Sequence, residues 1–273
     1  MKYDEIGYWS EVKLEIVSKY ASAYSKILTN QSFIKRHLYI DAFAGAGIHI
    51  SKQTQEYVPG SPMNALLVQP PFQEFHFIDL DGDKVAELRK LSGALDGVQI
   101  YEGDCNTILE ETVFPRCCYK DYSRALCLLD PYGLHLNWSV IAEAGRMKTI
   151  EIFLNFPVMD MNMNVLWHDT EKVKPEQASR MDAFWGDGSW RQAAYRTDLN
   201  LFGYPEKTNN KEIAEAFRLR LQEVAGFKYV PVPMPMRNTK GSVVYYLFFA
   251  SPNKTGAKIV KNIFDKYRNR GVV

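Results

Sequence analysis

Apolar and polar positions follow two rhythms along this chain. In the first, Val12, Ile16, Val17, Tyr20, Tyr24 and Ile27 recur at spacings of one, three and four, which predicts a helix from Ser10, as N-cap, to about Leu28. In the second, short apolar runs with β-branched and aromatic members stand at Leu38 to Phe43, Glu74 to Leu80, Val98 to Tyr101, Ala125 to Leu129 and Thr149 to Phe156. Such runs suit parallel strands buried on both faces. Helical patterns lie between them: Ser61 to Val68, with Ser61 as cap and Pro62 in the first turn, Asp83 to Leu95, and Trp138 to Met147. From Val158 the chain changes character, with Met159, Met161, Met163, Trp167, Trp185 and Trp190 scattered among charges, and reads as a helical insertion over the sheet to about residue 208. A helix from Asn210 to Val224 follows. Lys228 to Met236 and Ser242 to Ser251 then form an antiparallel hairpin, and Thr255 to Tyr267 a closing helix. The expected architecture is one α/β domain over 1–273, with an N-terminal helix over 10–30 and a seven-stranded, mostly parallel, Rossmann-like sheet.

Four of the five parallel strands end in a carboxylate or an amide: Asp41, Asp79, Asp130 and Asn155. A ligand crevice along the carboxyl ends of parallel strands requires that regularity. The first strand runs into Gly45 and Gly47, which let the backbone turn tightly against a ligand. The dinucleotide fingerprint needs a third glycine, and position 50 is Ile. What remains, an acid followed by Phe43, Ala44, Gly45 and Gly47, resembles the first motif of class I S-adenosylmethionine (SAM) methyltransferases. The likeness implies SAM as cofactor, held by Asp41, Phe43, Ala44, Gly45 and Gly47. The terminal hairpin also belongs to that fold and is generally lacking in nucleotide oxidoreductases. Asp79 is expected to accept the ribose hydroxyls, although it stands 34 residues after Gly45 rather than the usual ~20. A polar insertion between His49 and Pro59 explains the excess. Asp81 is the rival, with an alternative role at the start of the next helix. Asp104, closing the third strand, is placed to accept the adenine amino group.

The fourth strand ends in Asp130, Pro131, Tyr132 and Gly133, where a methyl acceptor would be held. An amino nitrogen conjugated to a ring is a poor nucleophile because its lone pair is delocalised. Hydrogen bonds from its N–H groups to Asp130 and to a backbone carbonyl such as that of Pro131 would favour the pyramidal nitrogen, while Tyr132 stacks on the ring. The stretch looks like the Asp-Pro-Pro-Tyr motif of amino-methylating nucleic-acid enzymes with one proline missing. The competing reading is a Pro-Gly turn after a buried strand. Asn155 and Pro157 are candidates to line the acceptor pocket.

Composition limits the partners. A chain of 273 residues with 46% hydrophobic content buries a sizeable core, and a formal charge of +1 offers no global attraction to nucleic acid, so any such contact is local. Four cysteines, Cys105, Cys117, Cys118 and Cys127, have neither metal-ligand nor disulfide spacing. No apolar run approaches the ~20 residues that span a bilayer, and a cytoplasmic protein is expected.

Six stretches together resemble one family, the three-Cys-motif partner proteins (TcmP): YIDAFAGAG at 39–47, PGSPMNALL at 59–67, FHFIDLD at 75–81, LLDPYGLHLNW at 128–138, EIFLNFPVMDMN at 151–162 and MRNTKGSVVYYLFFAS at 236–251. The resemblance implies a SAM-binding sheet, Asp41, Gly45, Gly47, Asp79 and Asp130 as site positions, and a radical SAM-like three-Cys-motif protein as partner. Two functions follow as expectations. One is methyl transfer to an amino nitrogen, with a nucleobase of DNA or RNA as substrate. The other is a methyltransferase fold that serves as a binding module for the partner with little transfer of its own.

Overall fold

The computed structural model describes residues 3–199, 205–238 and 240–268. Seven strands form its central sheet: β1 (Arg36–Asp41), β2 (Glu74–Asp79), β3 (Val98–Glu102), β4 (Ser123–Leu129), β5 (Ile150–Phe156), β6 (Met234–Arg237) and β7 (Val243–Ala250). Their spatial order is β6-β7-β5-β4-β1-β2-β3. The first five are mutually parallel, and β7 runs antiparallel to both β5 and β6. The chain therefore winds outward from β1 through β2 to β3, then returns to lay β4 on the other side of β1. That reversal opens a crevice at the carboxyl ends of β1 and β4.

Alternation along each strand divides the core between the two faces. Leu38 and Ile40 of β1, with Cys127 and Leu129 of β4, pack under α4 (Trp138–Met147) and α7 (Asn210–Glu223). Tyr39, Leu126, Leu128 and Phe153 point the other way, onto α1 (Tyr8–Thr29) and α8 (Lys254–Arg268). The remaining labelled helices are α2 (Ser61–Leu66), α3 (Gly82–Ser92), α5 (Val158–Asn164) and α6 (Pro175–Trp185). Phe184 and Trp185 of the insertion pack against Phe156 and Phe217, and Trp190 is buried in the same cluster, so these aromatics form core. The insertion is helical until a short antiparallel ribbon, Tyr195–Leu199 with Pro205–Lys207; residues 200–204 lie outside the described residues.

Several local expectations are corrected. Gly7, not Ser10, occupies the N-cap position of α1, and Gly60, not Ser61, that of α2. α3 stops before Leu95 because Gly93 turns at φ +62°, a conformation that costs glycine little. β6 begins only at Met234, since Pro231 and Pro233 have no N–H for a ladder. The polar stretch after Gly47 is no loop: Ile48–Ser51 and Tyr57–Pro59 form a hairpin whose first strand pairs in parallel with Glu5–Ile6. A helical run over residues 105–117, for which no pattern was identified, joins β3 to β4.

A buried carboxyl ties the core to α1. Glu151 accepts hydrogen bonds from the Tyr20 hydroxyl and, at 2.8 Å, from Ser251 Oγ. Burial pushes it from 4.5 up to about 7, although both hydrogen bonds favour the anion. The folded protein thus holds this proton more tightly than the unfolded chain does. The stability it gives is complete below pH 4.5 and is lost as pH rises to about 7, by on the order of 3 kcal/mol. Glu151→Gln should flatten that part of the fall in unfolding free energy between pH 5 and 8. An unchanged slope in denaturant titrations would show that Glu151 carries no such proton.

Candidate functional site

The two corners singled out in the sequence meet because their strands are neighbours. Asp41 pairs with Leu128 across β1 and β4, so the turns that follow rise side by side. Between them lies a cavity of about 390 Å³, within the range of small-molecule sites. Phe43, Ala44 and Gly45 form one wall, and Asp130, Pro131, Tyr132 and Asn155 another. Met159, Asp160 and Met163 of α5 cover it, while Ile6, Ser10 and Lys13 close it from the N-terminal segment.

The glycine corner is shaped from beneath. Asp41 is fully buried under the turn, outside the cavity wall, and its Oδ1 accepts the Phe43 N–H at 3.2 Å. Its Oδ2 makes no hydrogen bond of good geometry. Burial raises this carboxyl to about 7, against the Ser61 hydroxyl and the Phe43 N–H, which favour the charged form. Ser61, expected as a helix cap, thus serves Asp41 instead. Gly45 turns at φ +64°, and a Cβ there would meet nothing within 4 Å. Gly47, at φ +82°, plays a packing role, since a Cβ would lie 2.8 Å from Leu88 Cδ1 and 3.3 Å from Met63 Cγ.

Asp79 reaches back to this turn: its Oδ2 accepts the Gly45 N–H at 2.7 Å, and its Oδ1 the Asp81 N–H at 2.9 Å. Asp81 caps α3 by accepting from the N–H groups of Asp83 and Lys84, the alternative role foreseen for it. Asp104 is exposed at the end of β3, where its Oδ1 accepts from the Asn106 backbone at 3.2 Å and side chain at 2.9 Å. Asp79 and Asp104 therefore flank the glycine turn in strand order without lining the cavity.

The second corner contains a group that the sequence reading overlooked. Lys13 of α1 is buried and forms an ion pair with Asp130 Oδ2. Burial alone would lower its pKa; the Asp130 carboxylate outweighs this and holds the ammonium well above its ordinary range. A signal was present, because Lys13 stands four residues before Val17 on the helix face that also carries Tyr20 and Tyr24, and a lysine on a buried stripe requires a carboxylate. His49, from the hairpin, also lines the cavity, and burial lowers its pKa. Tyr132 sits at the mouth, 74% exposed, with its hydroxyl 3.3 Å from Asp4 Oδ2 and Lys84 Nζ 5.5 Å from the ring centroid.

A sulfonium nucleoside fits these features in outline: an open glycine turn with room above it, acids at the ends of β2 and β3, and a carboxylate, Asp130, held by Lys13 at the cavity. Among the described residues no group of three or more His, Cys, Asp or Glu side chains could hold a metal ion, and no helix is long and apolar enough to cross a membrane.

No protein-family model matches the chain, and no curated protein does. Among solved structures, protein LPL1258 of the DUF519 family from Legionella pneumophila superposes with a TM-score of 0.58 at 14% identity, over 94% of this chain and 93% of its own. A SAM-dependent methyltransferase of the DUF858 family from Leishmania major aligns more loosely, with a TM-score of 0.40 at 8% identity over 88% and 72% of the two chains. At such identities the likeness is one of fold. With its strand order and antiparallel β7, the chain has the Rossmann-like α/β fold of class I methyltransferases.

Proposed function

We propose that the protein is a SAM-dependent methyltransferase that acts on an amino nitrogen, with a nucleobase of DNA or RNA as substrate. The observation that carries this reading is the one cavity lined by both the open Gly45 turn and the Asp130-Pro131-Tyr132 corner. When bound, SAM supplies an electrophilic methyl group. The Gly45 turn, with Asp79 and Asp104 beyond it, would receive the nucleoside, and Lys13 keeps Asp130 oriented. Asp130 accepts an N–H of the acceptor, which directs the nitrogen lone pair without a covalent intermediate. Exposed Tyr132 offers a face for an unstacked base. Arg180 lies beside Gly133 and Lys84 beside Tyr132, and each is ion-paired, with Asp160 at 3.7 Å and Asp4 at 2.6 Å.

The second reading, favoured by the TcmP-like motifs, is a binding module for a radical SAM-like three-Cys-motif partner. Incubation of the purified protein with methyl-labelled SAM and total RNA or DNA separates the two. Label on either polymer is expected, and Asp79→Ala should weaken S-adenosylhomocysteine binding by about tenfold. Cofactor binding with no transfer to any fraction would favour the binding module.

A further inference from the structure

We propose that Asn155 is a second substrate-contacting residue, whose Oδ1 pairs with Asp130 Oδ1 to grip both N–H groups of a primary amine and so limits the product to one methyl group. This rests on the methyltransferase reading and specifies its acceptor. Leu129 pairs with Leu154 across β4 and β5, so Asp130 and Asn155 are the next residues on adjacent parallel strands, and both line the cavity. Asn155 is 9% exposed, and its Oδ1 is buried without a hydrogen-bond partner. Leaving an amide oxygen in that state is costly unless a ligand supplies the donor.

The orientation of the amide is dictated by its neighbour. Asn155 Nδ2 donates to the Pro131 carbonyl at 3.3 Å; the flipped amide would set two oxygens against each other. The Pro131 carbonyl is thus engaged by Asn155, whose own oxygen is left buried at the cavity wall without a donor. Asp130 is fixed in the same manner: Lys13 takes Oδ2, and Oδ1 accepts from no described residue. Of the other acceptors on the wall, Asp160 Oδ1 accepts from Asn164 Nδ2 at 2.8 Å, while its Oδ2 makes no hydrogen bond and lies 3.7 Å from Arg180 Nη2, which holds it as an ion pair.

Two fixed acceptors with no donor between them match an –NH2 group. The nitrogen lone pair forms the new N–C bond as the C–S bond breaks, its electrons passing to sulfur, and the proton displaced from nitrogen leaves onto Asp130 Oδ1 and then to water. The methylated product has one N–H, so one acceptor would face a methyl group. A site built on hydrogen bonds rejects a ligand that lacks one, here by at least ~10²-fold.

The test uses the full chain with methyl-labelled SAM and total RNA and DNA, digested to nucleosides. Label is expected in a nucleoside with a monomethylated exocyclic amine. Asn155→Leu should slow transfer by ~10²-fold, leave S-adenosylhomocysteine affinity by calorimetry within about twofold, and raise the dimethylamino share of the remaining product. That last change would not follow from a merely structural role. Asn155→Ser, which is smaller, repeats the comparison if the leucine variant fails to fold. Label on a ring nitrogen, ribose or carbon overturns the inference and spares the methyltransferase reading. So does an unaltered rate and product in both variants. Absence of label on both polymers overturns that reading and the inference with it.

Discussion

Asp130→Ala is expected to abolish methyl transfer and also to destabilise the fold by roughly 3–5 kcal/mol, because it strands the Lys13 ammonium in a buried site. The two losses have different origins and can be separated. The double variant Lys13→Met with Asp130→Leu removes both charges and retains apolar bulk, so its unfolding free energy should return to within ~1–2 kcal/mol of the parent. Its transfer rate should stay at background, since no carboxylate then faces the acceptor. Lys13→Met alone leaves a carboxylate that is 22% exposed and partly hydrated, which predicts a smaller stability loss and a rate between that of the parent and those of the two Asp130 variants. Recovery of transfer in the double variant would remove Asp130 from the chemistry. Failure to recover stability would mean that the ion pair is not the source of the cost.

Gly45→Val should eliminate S-adenosylhomocysteine binding while the protein remains folded. A Cβ at this position meets no protein atom within 4 Å, so the substitution costs the fold only the strain of φ +64° in a β-branched residue, on the order of 1–3 kcal/mol. The added branches project into the space above the turn that the cofactor would occupy. Gly47→Val should show the reverse balance, with instability as the main effect, because a Cβ there drives into Leu88 and Met63 beneath the turn. Calorimetry and denaturant titration on the pair distinguish a ligand-facing glycine from a packing one. Normal binding by Gly45→Val would exclude that turn as the cofactor's seat.

The parts of this site readable from sequence are those that a strand places. Asp41 and Asp79 end their strands, Asp130 follows the last residue of β4 and Asn155 is the penultimate residue of β5; the apolar runs of these strands announce themselves, and a parallel sheet brings such ends to one side. Gly45 and Gly47 were legible as a turn, but their different duties depend on what lies beyond the backbone: open space for one, Leu88 for the other. The contribution of Ile6 stayed hidden for a topological reason. It reaches the cavity through the pairing of Glu5–Ile6 with Ile48–Ser51, a contact between short segments remote in sequence and without a periodic pattern. Ser61 misled because a serine before a proline at a helix start matches the capping pattern, whereas a buried Asp41 competes for the hydroxyl. Similarly, the polar residues of the 48–59 hairpin concealed a ladder sealed by backbone hydrogen bonds, such as that from the Gly60 N–H to the Gly47 carbonyl at 2.7 Å.

The most direct measurement is a calorimetric titration of the wild-type protein with S-adenosylhomocysteine. Saturable binding at one site per chain is expected, with a melting temperature that goes on rising with the logarithm of S-adenosylhomocysteine concentration once the site is saturated. Absence of binding at millimolar ligand, by a protein shown to be folded, would contradict a cofactor site between Gly45 and Asp130.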